Sequence, residues 1–196
     1  AKGHFPSIIK RNKTAYPGNS KVVRDAFAYT LGMHTRTTKG IKNKTTLQRK
    51  PNNELSAERI QSNLEIILGH PFPIDGPFIL RNQKLQDVLN KAFSPEKYVY
   101  FVSNDSERIG LLQGFSDVAI GGLRENTRSL NYVLQTTNQT ARRILIHSLF
   151  EIGVHALAKG PTTEMNVSGI DELKKLVDLK IIINPKEVAE IEERFA

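Results

Sequence analysis

The chain has 196 residues, with 28 Lys and Arg against 20 Asp and Glu, and it contains no cysteine. The absence of cysteine excludes disulfides, zinc–thiolate sites, iron–sulfur clusters and thiol nucleophiles. No window approaches the roughly eighteen apolar residues of a membrane span, and the first residues lack the apolar core of a signal peptide. We therefore expect a soluble chain that is not exported by that route.

The positive charge is concentrated at the amino terminus. Twelve of the 28 basic side chains lie in the first fifty residues beside a single acid, Asp25, so this segment has a net charge of +11. The remaining 146 residues carry 16 basic and 19 acidic side chains, a net charge of −3. Such a distribution is typical of a protein that binds a polyanion. We interpret residues 1–52 as a nucleic-acid-wrapping arm and residues 53–196 as a globular helical body; a solvated tail or a segment that docks on an acidic protein are the alternatives.

The arm's composition predicts contacts with a phosphate backbone. Lys and Arg neutralise phosphates, and Thr and Asn donate hydrogen bonds to them. The basic residues are scattered along the arm and do not form one helical reading surface, so we expect binding that is insensitive to base sequence. The candidate nucleic-acid ligands are Lys2, Lys10, Arg11, Lys13, Lys21, Arg24, Arg36, Lys39, Lys42, Lys44, Arg49 and Lys50.

Within the arm, a short helix is predicted after Ser20. Val23, Phe27 and Thr30 repeat at helical spacing, Ser20 is a favourable N-cap, and Gly32 is expected just beyond the helix end. Residues 33–50 are rich in Thr, Lys and Arg and have little apolar surface to bury. We expect them to be mobile in the free protein and to become ordered on DNA.

The body reads as mostly helical. Helices are predicted from Asn53 or Ser56 to Leu68 with Gly69 as the stop, near 82–93, over 138–159, and after Ser168 and Asn184. The three prolines of 70–78 predict an irregular loop, and 97–102 has the composition of a strand, for which 118–120 or 181–183 would be the partner. The sequence contains no internal repeat of useful length. The predicted fold class is mainly α: an extended basic N-terminal helical arm and a helical-bundle body, with a small β element as an optional addition.

No catalytic, metal or cofactor site is recognisable in the sequence. The glycines fit neither a dinucleotide-binding nor a Walker spacing, and no His-Glu-x-x-His run occurs. The leading enzymatic alternative is a metal-dependent nuclease, for which Glu172-Leu173-Lys174 is the only Glu-x-Lys triplet and Asp105, Glu107 and Asp117 are further carboxylates. We expect no enzymatic activity and no cofactor, and we interpret these acids as capping or surface residues.

Several short motifs resemble the major capsid proteins of filamentous and rod-shaped archaeal DNA viruses. They are the start Ala1-Lys2-Gly3 and, near the end, Gly160-Pro161, Ser168-Gly169 and Asn184-Pro185, together with a basic arm and no cysteine. The resemblance implies a helix-turn-helix arm that embraces double-stranded DNA held in A-form, with Gly32 or Gly40 near the bend. It also implies a body that packs into a helical filament with itself or with a related second subunit.

These expectations give a functional hypothesis. The chain is predicted to be a structural DNA-coating protein, a capsid subunit located in the virion, that binds double-stranded DNA and no small-molecule substrate. A DNA-processing enzyme such as a metal-dependent nuclease is the alternative from another class. A cellular nucleic-acid-binding adaptor that uses the same arm is the third.

Overall fold

The computed structural model describes residues 20–36, 46–126, 129–158 and 164–194. The helices are α1 (Lys21–Thr35), α2 (Glu54–Leu68), α3 (Gln83–Ala92), α4 (Asp105–Ser116), α5 (Gln139–Glu151), α6 (Ile170–Asp178) and α7 (Pro185–Glu193), with a 3₁₀ turn at Tyr98–Tyr100. The strands are β1 (Thr46–Arg49), β2 (Phe78–Arg81), β3 (Ile120–Asn126), β4 (Ser129–Gln135), β5 (Ala156–Ala158) and β6 (Glu164–Ser168). Within these ranges no helix is both long enough and apolar enough to cross a bilayer.

Helices α1 and α4 form the centre of the molecule and pack closely against each other. Eleven of the fifteen residues of α1 are buried. A helix that is buried on most sides needs an apolar or small residue at nearly every position, and the run from Ala26 to Met33 meets that need. The segment that the sequence assigns to a nucleic-acid-wrapping arm therefore contains a core helix.

Two glycines allow this close approach. A Cβ atom on Gly32 would lie 1.9 Å from the carbonyl oxygen of Leu111, and one on Gly114 would lie 1.9 Å from the carbonyl oxygen of Tyr29. No side chain fits at either position, because real Cβ atoms do not approach a heavy atom so closely. Gly32 thus lies inside α1 at its contact with α4, and the sequence interpretation of Gly32 as the residue beyond the helix end is wrong.

The two contacts are related by a constant spacing along the chain. Gly114 lies 82 positions after Gly32, and Leu111 lies 82 positions after Tyr29. The polar contacts at the start of the helices follow the same relation. Ser106 lies 82 positions after Arg24, Glu107 lies 82 positions after Asp25, and Arg24 binds Glu107 while Ser106 binds Asp25. The structure therefore contains two equivalent halves around α1 and α4, although the sequence shows no obvious repeat.

Each half carries an antiparallel sheet. β1 pairs with β2, with Leu47 opposite Leu80. In the second half the strand order is β3-β4-β6-β5, and Tyr132 of β4 lies between Leu123 of β3 and Val167 of β6. Alternate residues of a strand face opposite sides, so Leu130, Tyr132 and Leu134 pack on the helices while their neighbours face away.

The expected fold class is therefore wrong: the protein is mixed α/β, with two antiparallel sheets, and it is neither a helical bundle nor an extended helical arm followed by one. The strand signal at 97–102 corresponds to the 3₁₀ turn, which buries Tyr98 and leaves Tyr100 exposed. The long helix expected over 138–159 ends at Glu151 and is followed by β5. Of the segment 33–50 that was expected to be mobile, residues 33–35 belong to α1 and residues 46–49 form β1; the possible bend at Gly40 lies outside the described residues.

Several local predictions are confirmed. The helix α2 begins after Asn53, whose side chain accepts a hydrogen bond from the Ser56 amide, and it ends at Gly69 with φ of 71°. Asn184 caps α7, and Pro185 occupies its first turn. These ends are encoded by single residues, which is why local sequence is sufficient to find them. The domain boundary at residue 52 stays a prediction.

Candidate functional site: two helix ends and a polar sheet face

The carboxylate of Asp117, just beyond the end of α4, is buried and fully hydrogen-bonded. Arg59 of α2 binds it with two nitrogens, Nε to Oδ2 at 2.7 Å and a terminal nitrogen to Oδ1 at 2.8 Å. The Ser56 hydroxyl donates to Oδ1 at 3.0 Å, and the Tyr29 hydroxyl donates to Oδ2. Both oxygens therefore accept two hydrogen bonds, which is close to the full capacity of a carboxylate.

The surroundings of Asp117 fix its partners in their charged or protonated forms. Burial, reinforced by the charge of Asp117, raises the pKa of Tyr29 well above its usual value, so its hydroxyl keeps the proton that it donates. Although burial alone lowers the pKa of Arg59, its hydrogen bonds and ion pair with Asp117 raise it overall. Arg59 also donates to the Lys180 carbonyl oxygen at 2.6 Å. One cation of the first half thus neutralises the acid of the second.

The end of α1 has the opposite character. Arg49, at the end of β1, donates from Nε to the Met33 carbonyl oxygen at 2.7 Å and from a terminal nitrogen to the His34 carbonyl oxygen at 3.2 Å. The backbone N–H of Arg36 donates to that same carbonyl oxygen of His34. Burial together with the charge of Arg36 lowers the pKa of Arg49 to about 10, and burial also lowers the pKa of Arg36. Two guanidinium groups therefore share this helix end.

A polar cavity of about 360 Å³ lies beside the end of α4. Asn52, Ser116, Tyr132 and Glu187 contribute to its lining. Glu187 of α7 accepts a hydrogen bond from the Leu123 amide at 2.9 Å, and burial raises the pKa of its carboxyl group. The polar side chains at this cavity thus mainly make hydrogen bonds to the backbone, at β3 through Glu187 and at the end of α4 through Asn52.

The candidate nuclease carboxylates do not come together. Asp105 pairs with Arg108 at the surface, and Glu107 is buried against Arg24. Glu172 binds the His155 amide and Lys175 on α6. Among the described residues there is no group of three or more His, Asp or Glu side chains able to hold a metal ion. The Glu-x-Lys triplet is part of a helix, as the sequence indicates, and not of a strand-borne metal site.

The predicted nucleic-acid ligands are distributed over several environments. Arg24 contacts Glu107 and Ser103, and Arg49 contacts the end of α1. Lys21 is 78% exposed and pairs with Asp25, Arg36 is half-buried, and Lys50 is exposed. The other seven lie outside the described residues: Lys2, Lys10, Arg11, Lys13, Lys39, Lys42 and Lys44.

The sheet faces that point away from the helices carry hydrogen-bonding side chains. In the second half this face includes Asn131 and Gln135 of β4, Asn166 of β6 and Arg124 of β3. Gln135 and Arg124 both donate to Glu164, at 2.7 and 2.8 Å. In the first half the corresponding face carries Thr46, Gln48, Ile79 and Arg81, of which Gln48, Ile79 and Arg81 are exposed. We call these surfaces, taken together, the outer sheet face.

This architecture, with two central helices packed through glycines and an antiparallel sheet in each half, is the LAGLIDADG fold seen in solved structures. One such structure is I-DmoI in complex with DNA and manganese, with 15% identity, a TM-score of 0.53, and coverage of 83% of this chain and 99% of that one. A variant of I-DmoI with its target DNA and magnesium gives 15% identity, a TM-score of 0.55, and coverage of 84% and 100%. The N-terminal LAGLIDADG domain of WhiA gives 10% identity, a TM-score of 0.52, and coverage of 84% and 86%. No protein-family model and no curated protein sequence matches the chain.

These similarities overturn the capsid interpretation. The solved structures that share this fold include the homing endonuclease I-DmoI, and neither I-DmoI nor WhiA is a capsid protein. The resemblance to archaeal viral capsid proteins is therefore wrong, and the virion location and filament assembly that it implied have no support. The expectation that the chain is not an enzyme is contradicted as well, because I-DmoI is an endonuclease.

The metal ions of those complexes have no matching donor set at the two helix ends of this chain. Asp117 is the carboxylate nearest in sequence to the end of α4, and its four acceptor positions are already filled by Arg59, Ser56 and Tyr29. At the end of α1, the residues from 33 to 50 include no Asp or Glu at all. Divalent cations such as Mg²⁺ need carboxylate or other oxygen ligands with free lone pairs. The residues at these two helix ends therefore do not fit a divalent cation.

Sequence reasoning missed three features of this site. Arg59 looks like an ordinary surface residue of an amphipathic helix. The outer sheet face was missed because the strands were missed, although Leu130 and Tyr132 alternate with the polar Ser129 and Asn131 in β4. The helix contact had a signal too, because Ala28 and Gly32 are four residues apart, as are Gly110 and Gly114.

Proposed function

We propose that this chain is a DNA-processing protein that binds double-stranded DNA on its outer sheet face. The observation that carries the proposal is the polarity of this face, which presents the exposed side chains of Gln48, Arg81 and Arg124 opposite the helix-covered side. Strands can enter the major groove, and Arg, Asn and Gln are the side chains that make two-point hydrogen bonds to base edges there.

The charge distribution supports the same ligand. The first fifty residues carry a net charge of +11, and their basic side chains remain proposed phosphate ligands. DNA complexes of I-DmoI, which shares the fold, are consistent with a duplex as the partner. Base-edge readout by the sheet and phosphate contacts by the basic segment are different tasks, and one complex can use both.

Binding to a labelled duplex, measured by fluorescence anisotropy as a function of salt, tests the proposal. Arg81→Ala removes a cation from the outer sheet face and should weaken binding and reduce the salt slope by about 0.9. Lys174→Ala removes the same charge from the exposed side of α6 and is the matched control. Equal effects of the two substitutions, or no binding by the wild type at low salt, would contradict the proposed face.

DNA cleavage is the second candidate function, and the fold shared with an endonuclease favours it. The test is nicking of supercoiled plasmid with magnesium or manganese, compared with chelator. Cleavage that is lost in Asp117→Asn would assign chemistry to that carboxylate in spite of its saturated hydrogen bonds. If the protein binds the duplex but does not nick the plasmid, its function under these conditions is DNA recognition without cleavage.

A further inference from the structure

The end of α1 concentrates positive charge within a small space. The guanidinium of Arg49 and the backbone N–H of Arg36 share the His34 carbonyl oxygen as their acceptor. Three of the five N–H donors of Arg49 are directed at the carbonyl oxygens of Met33, His34 and Gln48. Both arginines are half-buried. Two donors of Arg49 and the whole side chain of Arg36 are thus left for another acceptor.

No carboxylate compensates this charge within the described part of the chain. Neither Arg36 nor Arg49 takes part in an ion pair there, and the Arg36 side chain makes no hydrogen bond to a described residue. The residues between them, 37–45, add Lys39, Lys42 and Lys44 but no acid. Half-buried like charges repel each other, and a helix end offers only about half an elementary negative charge in return.

At the equivalent end of α4, the charged residue has a counterion within the protein. Thr35 and Asp117 are 82 positions apart, like the paired glycines. At Asp117 the charge is neutralised by Arg59, which is only 18% exposed and binds with two nitrogens. At the end of α1 there is a pair of cations with no such partner among the described residues. A counterion for this pair would therefore have to come from outside the described residues.

We propose that Arg36 and Arg49 form a binding site for one phosphate group, and that in the DNA complex this group is a diester of the backbone. Guanidinium groups recognise phosphate oxygens in a forked, planar geometry, and two of them surround one tetrahedral anion. Arg49 follows Gln48 in β1 and donates to its carbonyl oxygen at 2.6 Å, and the Gln48 side chain belongs to the outer sheet face while that of Arg49 points to the helix side. This inference rests on the proposed DNA binding and adds one fixed anchoring point to it.

Two probes test the site with the same variants of the full chain. Arg36→Gln removes a charge whose side chain makes no described hydrogen bond, and Arg36→Lys keeps the charge without the fork. The matched control is Lys91→Gln, an exposed cation in the last turn of α3. The first probe is a duplex of about twenty base pairs in a salt titration. The second is inorganic phosphate, compared with chloride at equal ionic strength by thermal melting.

For the duplex, Arg36→Gln should reduce the salt slope by about 0.9 and weaken binding roughly tenfold, because a charge-assisted hydrogen bond is lost. Arg36→Lys should restore the slope but only part of the affinity, and Lys91→Gln should behave as the wild type. For inorganic phosphate, the wild type should melt a few degrees higher than in chloride, and Arg36→Gln should lose that increase.

The outcomes separate this inference from the proposed function. A phosphate effect without any duplex effect of Arg36→Gln would assign the pair to free phosphate and overturn the backbone contact. Equal behaviour of Arg36→Gln and Lys91→Gln with both probes would mean that Arg49 only caps α1, and the site would be refuted. A wild type that binds no duplex would overturn the proposed function and the backbone contact together, while the melting experiment would still decide whether the pair holds phosphate.

Discussion

The two halves of this protein are built around equivalent helices, and they differ in how each helix end handles its charge. The end of α4 carries an acid that is neutralised by an arginine from the other half. The end of α1 carries Arg49, whose described side-chain hydrogen bonds all go to carbonyl oxygens, and Arg36, whose side chain makes none to a described residue. The ion pair at the end of α4 links the two halves to each other, whereas the positive charge at the end of α1 has no acidic partner among the described residues. The same packing frame can thus serve as a structural joint at one end and a binding surface at the other.

The helix contact shared by both halves should be the most sensitive part of the molecule. Gly114→Ala would place a Cβ 1.9 Å from the Tyr29 carbonyl oxygen, so α1 and α4 would have to separate. We expect a loss of roughly 4 kcal/mol or more in the free energy of unfolding, measured by urea denaturation. Gly110→Ala is the control one turn earlier, where the nearest atom is 3.3 Å away and the better helix propensity of Ala offsets part of the cost. Similar losses for both would show that the close contact is not the cause.

The ion pair between Arg59 and Asp117 at the end of α4 should give the next largest effect on stability. Arg59→Met keeps the apolar stem but leaves Asp117 buried without its cation, which should cost about 3–5 kcal/mol of stability. Adding Asp117→Asn to Arg59→Met removes the unpaired charge and should recover part of the loss. The double-mutant cycle is read from urea denaturation. Additive effects of the two substitutions would show that the pair does not link the halves.

The pair between Arg24 and Glu107 gives a smaller effect that depends on pH. Burial raises the pKa of Glu107, but Arg24 and the Ser103 amide lower it by more, so the folded value lies below the usual one. The carboxylate therefore contributes stability above its unfolded pKa, and this contribution disappears as the pH falls through the folded pKa. Glu107→Gln should cost about 1.5–3 kcal/mol near neutral pH and much less at the acid end, which a series of melting curves would show. A cost that is independent of pH would contradict the ionic origin.

The exposed pair at the start of α1 should matter least. Lys21 lies 3.0 Å from Asp25, but its side chain is 78% exposed, so water and salt screen the interaction. Lys21→Met should change the free energy of unfolding by less than about 0.5 kcal/mol. Raising the salt concentration should remove even this difference. A loss of stability as large as that of Arg59→Met would mean that solvent exposure does not determine how much an ion pair contributes here.

The parts of the fold that the sequence predicts are those specified by neighbouring residues. Asn53 and Gly69 fix both ends of α2 because a cap needs one side chain or one left-handed residue. The sheets could not be placed as easily, since pairing depends on partners far along the chain: Tyr132 meets Val167 in the next strand. The run Tyr98–Tyr100 has strand propensity but pairs with none of the strands in the described part of the chain, and burial of Tyr98 against the core was decisive.

The site was harder to predict for a similar reason. The positive segment was visible, but charge alone does not tell a phosphate ligand from a helix cap, and Arg24 and Arg49 have partners within the protein. The role of Arg59 depends on a contact with Asp117, 58 positions later. Such pairs become visible only when the two halves are assembled. The pattern of Ala28, Gly32, Gly110 and Gly114 was the one local signal of that assembly.

The reciprocal glycine contact has a consequence for a chain that is cut. The turn at 94–97 connects the halves, so cleavage there gives two pieces that each contain one central helix. Neither piece alone could bury the glycine-bearing side of its central helix. One piece would keep Arg59, and the other would keep its partner Asp117. The pieces should therefore remain together after a cut, as a heterodimer of complementary fragments, and the molecule could be produced in two parts that assemble only with each other.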